Sequence, residues 1–252
     1  MNFQLYKLIL IFVRITAFIV ICPGFSFKGL SNIFKIGLAI SLSLMINSII
    51  PEIEAVDNMF LFLLMNIKES ILGLTLGFVT NLIFSTMEIA GNLVDFQVGF
   101  SMASVYDPSI GSTASNYGKM YYWISICVFF LLDMHHQVIN ALIKSFEYIP
   151  LSSANLNNFQ TKVIVDLFIE VFELALNLAV PIIVVVLVTD IVLGIIAKTV
   201  PQINVLMLGM PIKAMVSFFI TMLTLSWLIN SAGNIIQRIP GNLEGFMSLF
   251  KH

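Results

Sequence analysis

The stretch EIAGNLVDFQVGFSMASVYDPSIGSTASNYGK, residues 88–119, is where the chain departs from its own character. Elsewhere apolar residues dominate. Here Glu88, Asn92, Asp95, Gln97, Ser101 and Ser104 lead to Asp107-Pro108, and then to Ser109, Gly111, Ser112, Thr113, Ser115, Asn116, Gly118 and Lys119. Apolar runs long enough to cross a bilayer flank this stretch on both sides. A long polar excursion inside an apolar chain needs a partner or a wet cavity, because lipid cannot satisfy it.

The rest of the composition sets the class. Of 252 residues, 59% are hydrophobic and only 10% are charged, with a mean hydropathy of +1.00. Soluble domains carry about 25% charged residues. The chain is therefore expected to be an all-α, polytopic membrane protein of kinked helical hairpins, with about six hydrophobic segments in lipid contact. It is expected to form a single domain over 1–252: N-terminal hairpins to 86, the polar face and loop over 87–120, then C-terminal hairpins and a tail. A net charge of −2 without a basic patch argues against nucleic acid. Cys22 and Cys127 both sit in apolar runs and read as small buried hydrophobes. Lys7 followed by an apolar run resembles a signal peptide, but no small-x-small cleavage site follows, so the segment is expected to be retained.

Taken in order, the first segment covers about 5–22 with Arg14 near its middle. A charge at bilayer depth costs about 2.5–3.5 kcal/mol on insertion scales. Arg14 either snorkels to an interface or binds a buried partner. Pro23 ends the segment. Gly73 and Gly77, four apart, allow close approach of another helix. Asn81, Ser85, Glu88, Asn92 and Asp95 recur at steps of four, three, four and three, which predicts one polar helical face. Glu88 and Asp95 are two turns apart and do not form a paired-carboxylate acid/base site. The loop from Asp107 to Lys119 reads from its residues either as an exposed connector or as a segment seated in a cavity.

Asp133, His135 and His136 interrupt the next apolar run. Adjacent helical histidines point about 100° apart, whereas zinc needs three or four converging ligands. A hydrogen-bonded polar kink is expected here, with no metal or cofactor. Pro181 is expected to kink a later helix whose opening carries Asp166, Glu170, Glu173 and Asn177. Asp190 lies inside its apolar run. Breaks are expected at Pro201-Gln202-Ile203-Asn204 and again at Gly209-Met210-Pro211, producing a discontinuous element before a last helix that opens with Lys213. No nucleotide loop and no Ser/His/Asp spacing is visible, so no enzyme is expected.

Three blocks carry a family resemblance. They are Gly91-Asn92-Leu93-Val94-Asp95-Phe96-Gln97-Val98-Gly99 followed by Asp107-Pro108; Leu132-Asp133-Met134-His135-His136 followed by Ser145-Phe146 and Ile149-Pro150; and Pro201-Gln202-Ile203-Asn204 with Gly209-Met210-Pro211-Ile212-Lys213, preceded by Pro181, Asp190 and Gly194. Over essentially its whole length the chain resembles the FliR/SctT family of type III export-gate subunits. Met134 stands where that family often has glycine, and Lys198 where it often has arginine. The resemblance implies a non-catalytic subunit that assembles with FliP-like and FliQ-like subunits into a channel for exported unfolded proteins. It implies FlhB-like and FlhA-like partners on the cytoplasmic side, and a place in the bacterial inner (cytoplasmic) membrane at the flagellar basal body. It also implies that residues 107–119 plug the closed pore. A virulence secretion subunit is the near alternative. More distant ones are a transporter or proton channel using Glu88, Asp95, Asp133 and Asp190, and an intramembrane metalloenzyme on His135 and His136.

Overall fold

The computed structural model of the chain describes residues 3–27, 29–51, 58–101, 115–151, 161–200, 202, 204–248 and 250. Among these there is no strand. The helices are α1 (Phe3–Ile21), α2 (Asn32–Ile49), α3 (Met59–Val98), α4 (Asn116–Leu131), α5 (Met134–Tyr148), α6 (Thr161–Thr199), α7 (Val205–Ile236) and α8 (Ile239–Ser248).

Four stretches are long and apolar enough to cross a membrane: Asn32–Ile49, Met59–Val98, Lys162–Thr199 and Met207–Ser248. The pair α4–α5, bent by 77° at its break, makes a fifth if it counts as one span. The chain is a polytopic all-α membrane protein. With 40 residues, α3 is about 60 Å long at 1.5 Å per residue, twice the roughly 30 Å of a hydrocarbon core. Only 17–22% of each candidate span is buried within the chain. Ile33, Met59, Phe96, Leu131 and Met222 are each at least 75% exposed, and such faces need lipid or protein against them.

The chain divides into two compact units: Met1–Ile83 with Phe129–Leu167 and Gln237–His252, and Phe84–Val128 with Phe168–Ile236. In the first unit, α1 buries Leu10, Ile11, Ile15 and Phe18 and packs against α2. Lys7 donates to the carbonyls of Asn47 at 2.6 Å and Ile50 at 2.5 Å. These are carbonyls at the end of α2, where the helix dipole favours a cation. A Cβ on Gly73 would fall 2.2 Å from the Arg14 carbonyl oxygen, and one on Gly77 3.0 Å from that of Phe18. The small pair therefore lets α3 touch the backbone of α1. The turn after α1 contains Pro23 and Gly24, the latter at φ +87° against Phe129 and Phe130. α8 packs on α5, with Lys144 and Glu244 paired at 2.7 Å.

Three sequence expectations are corrected. The loop expected over 107–119 is shorter at its end, because Asn116, Gly118 and Lys119 belong to the first turn of α4. Ser115 immediately precedes that helix, and its hydroxyl accepts from the Gly118 amide at 3.0 Å, in the manner of an N-cap. Of the residues in that loop, Asp107, Pro108, Ser109, Gly111, Ser112 and Thr113 lie outside the described residues.

The second break, expected at Gly209 to Pro211, is absent. α7 runs unbroken through Pro211, as α6 does through Pro181. Proline removes one hydrogen bond and costs roughly 3 kcal/mol inside a helix. Ending the helix there would orphan several backbone groups in an apolar setting, which costs more. The first break is real in the described residues: α6 stops at Thr199 and α7 starts at Val205. Asn204 caps α7, its side chain accepting from the Met207 amide at 3.3 Å, and Gln202 lies exposed in the turn. Pro201 is outside the described residues.

The third correction concerns Asp133, His135 and His136. They do mark a kink, the 77° bend. Their ligand atoms nevertheless converge, all lying within 4.8 Å of one another. Asp133 sits left-handed at φ 54°, a conformation that aspartate tolerates better than most residues. His135 and His136 are neighbours in the first turn of α5 with ring centroids 4.0 Å apart, and the left-handed Asp133 before that turn adds its carboxylate beside them.

Candidate functional site

The polar stretch resolves into a clasp between the end of α3 and the start of α4. α3 ends through the backbone of Asp95, whose carbonyl accepts from the amides of Gly99 at 3.1 Å and Phe100 at 3.0 Å. Gly99 follows at φ +101°, the usual role of glycine just past a helix C-terminus. The carboxylate of the same residue opens the next helix. It accepts from the Tyr117 amide at 3.0 Å, the Gly118 amide at 3.2 Å and the Ser115 hydroxyl at 2.6 Å. Amides at a helix N-terminus have no partner within the helix, and a carboxylate there also meets the positive end of the dipole. Asp95 is 2% exposed, so these charge-assisted bonds are the reason it can be buried.

Glycine makes the clasp possible. A Cβ on Gly91 would lie 2.4 Å from the backbone nitrogen of Gly118, and a Cβ on Gly118 would lie 2.2 Å from the Ser115 hydroxyl and 2.4 Å from the Asn92 amide oxygen. α3 and α4 thus meet backbone to backbone. The Ser115 hydroxyl also lies 2.5 Å from the Asn92 oxygen, so its one proton is directed to either Asn92 or Asp95. Behind the clasp, Tyr117 stacks on Phe218 with ring centroids 5.5 Å apart. Its hydroxyl donates to Ser217 at 2.9 Å.

The face expected from Asn81 to Asp95 is therefore divided by its surroundings. Glu88 and Asn92 are exposed, Asn81 and Ser85 are half-buried, and Asp95 is withdrawn under α4. A second polar cluster in the same unit joins three helices. Lys213 on α7 pairs with Asp190 on α6, and Gln97 on α3 donates to Asp190 at 3.2 Å. Gly209, one turn before Lys213, is buried against Leu193.

In the other unit Arg14 is the buried centre. Its Nε donates to Glu69 at 2.6 Å, with both side chains 0–1% exposed. Its other nitrogens donate to the carbonyls of Ser145 and Ile149, each at 3.0 Å, which lie where α5 ends. The guanidinium sits 4.1 Å from the centre of the Phe146 ring. The buried-partner reading of Arg14 is the one the structure shows. Arginine meets these acceptors with three separate nitrogens of a rigid planar fork, whereas lysine carries all its donors on one nitrogen.

Sequence reasoning gave no role to Glu69 or Gly91 and passed over Tyr117 and Ser217. Glu69 had a signal: with Gly73 and Gly77 it falls at steps of four, on the same face. Tyr117 and Ser217 are 100 residues apart, and no local pattern pairs them.

Residues 5–239 match the family described as bacterial export proteins, family 1. The chain belongs to this family. Its relatives include the flagellar biosynthetic protein FliR of Bacillus subtilis (strain 168), 30% identical over 96% of this chain and 94% of that protein. FliR of Aquifex aeolicus (strain VF5) is 27% identical over 98% and 96%. FliR of Escherichia coli (strain K12) is 24% identical over 79% and 76%. As a member of the bacterial export family, the chain has an all-α body with broad unpartnered apolar faces, and it carries its polar residues in a few tight clusters.

Proposed function

We propose that the chain is a non-catalytic core subunit of the flagellar protein export gate. The observation that carries this reading is the family match over residues 5–239, together with relatives that are flagellar FliR proteins. In this reading the subunit sits in the inner membrane at the flagellar basal body. It assembles with FliP-like and FliQ-like subunits, and FlhB-like and FlhA-like partners dock on its cytoplasmic side. Exported unfolded proteins pass through the channel that the subunits form together. The largely exposed apolar helices support assembly into a larger complex, since 17–22% burial leaves most of each span uncovered by the chain itself.

The loop from Asp107 to Lys119, whose last residues form the first turn of α4, acts as the plug in this proposal. The clasp supports that role. The Asp95 carbonyl holds Phe100 on one side and the Asp95 carboxylate holds Ser115 on the other. The described residues on either side of the loop are thereby both held to Asp95. Asp95 positions the start of α4 in this proposal.

Co-expression with FliP-like and FliQ-like proteins tests the reading. The chain should co-purify in a stoichiometric complex. A chain that stays outside their complex overturns the proposal.

A further inference from the structure

We propose that Asp133, His135 and His136 form a binding site for a divalent transition-metal ion, with Zn2+ as the type case, at the elbow between α4 and α5. One atom from each residue lies within 4.8 Å of the other two, and His136 Nδ1 stands 4.0 Å from Asp133 Oδ1. Ligands held at about 2.0–2.2 Å from a tetrahedral zinc lie about 3.4 Å from one another. Closing the group thus requires movements of about 1.4 Å, within the reach of a side-chain rotation. The side chains of His136 and Asp133 are 71% and 78% exposed, so they are free to rotate.

His135 provides an independent observation. Its Nδ1 is buried and has no hydrogen-bond partner among the described residues. The ring is held by packing alone, with its centroid 5.4 Å from that of Phe130, 6.4 Å from Phe129 and 4.0 Å from His136. Phe129 and Phe130 are themselves seated on Gly24. A buried imidazole nitrogen without a protein partner is an anomaly that coordination through that nitrogen removes. The left-handed Asp133 and the 77° bend bring the carboxylate back over the first turn of α5. Two imidazoles and one carboxylate suit zinc and its first-row neighbours, whereas calcium and magnesium prefer oxygen ligands throughout. Three protein ligands leave one position for water or for a group from a neighbouring subunit. The ion would tie the first turn of α5 to Asp133, the residue that precedes it.

The inference is independent of the export-gate reading, and its test needs no secretion assay. Co2+ is titrated into the purified full-length chain in detergent micelles, prepared with a histidine-free affinity tag, and followed by its visible absorption. The expected result is one saturable site per chain, displaced by Zn2+. His136→Ala and Asp133→Asn should each weaken it by at least about tenfold, with helicity by circular dichroism unchanged because both side chains are exposed. His252→Ala should leave it intact. Absence of a saturable one-ion site overturns the proposal. So does a site whose affinity is unchanged in both His136→Ala and Asp133→Asn.

Discussion

Asp95 shows how one side chain can serve two helices. Its carboxylate takes amides that no residue of α4 can satisfy. Asp95→Ala leaves the buried Tyr117 amide unpaired and is expected to destabilise the chain by about 1–3 kcal/mol, read as an earlier unfolding transition in detergent. Gly91→Ala drives a methyl group into the backbone of α4 and should cost about 1–3 kcal/mol in the same assay, because backbone atoms cannot step aside as a side-chain tip can. Arg14 is the more severe case. Arg14→Met strands the Glu69 carboxylate in the core, and breaking a buried pair by removing one partner costs about 3–5 kcal/mol. Converting both residues, Arg14→Met with Glu69→Gln, should recover a large part of that loss, because no net charge then stays buried. If the double variant is no more stable than Arg14→Met alone, the ion pair is not what makes the single change harmful.

At the scale of elements, polar contacts tie helices together at points where apolar packing supplies no direction. Asp190 joins α6 to α7 through Lys213 and to α3 through Gln97. Interhelical polar contacts in membrane proteins average about 0.6 kcal/mol and reach about 1.7. A double-mutant cycle on Asp190→Asn and Lys213→Met should return a coupling in that range, and the swapped pair Asp190→Lys with Lys213→Asp should restore part of it. Zero coupling would mean that the two side chains meet without stabilising the fold. Element boundaries were legible in part. The breaks at Pro23, Asp133 and Thr199 follow from proline, glycine and polar residues in the chain. The continuity of α7 through Pro211 did not follow from the sequence, because the cost of one missing hydrogen bond has to be weighed against the surroundings of the whole helix.

For the molecule as a whole, the clasp sets the design of the plug experiment. Removing residues 109–113 spares Ser115 and Gly118, whereas removing 109–118 also destroys the cap of α4. The shorter deletion is expected to leave the complex assembled and to raise its conductance to small ions; an unchanged conductance would refute the plug. The longer deletion should additionally lower stability, by the same mechanism as Asp95→Ala. Composition by itself determined that this is a polytopic helical membrane protein, since a chain with 10% charged residues has few other ways to satisfy its backbone. Periodicity placed Gly73, Gly77 and the residues from Asn81 to Asp95 on helix faces, because helical spacing is a local property. Which residue meets which face was decided only in three dimensions. Arg14 finds Glu69 across 55 positions, Tyr117 finds Ser217 across 100, and Asp95 turns from a face residue into a helix cap because the start of α4 is folded over it. Such pairings depend on where the chain returns, and no spacing within one helix encodes that.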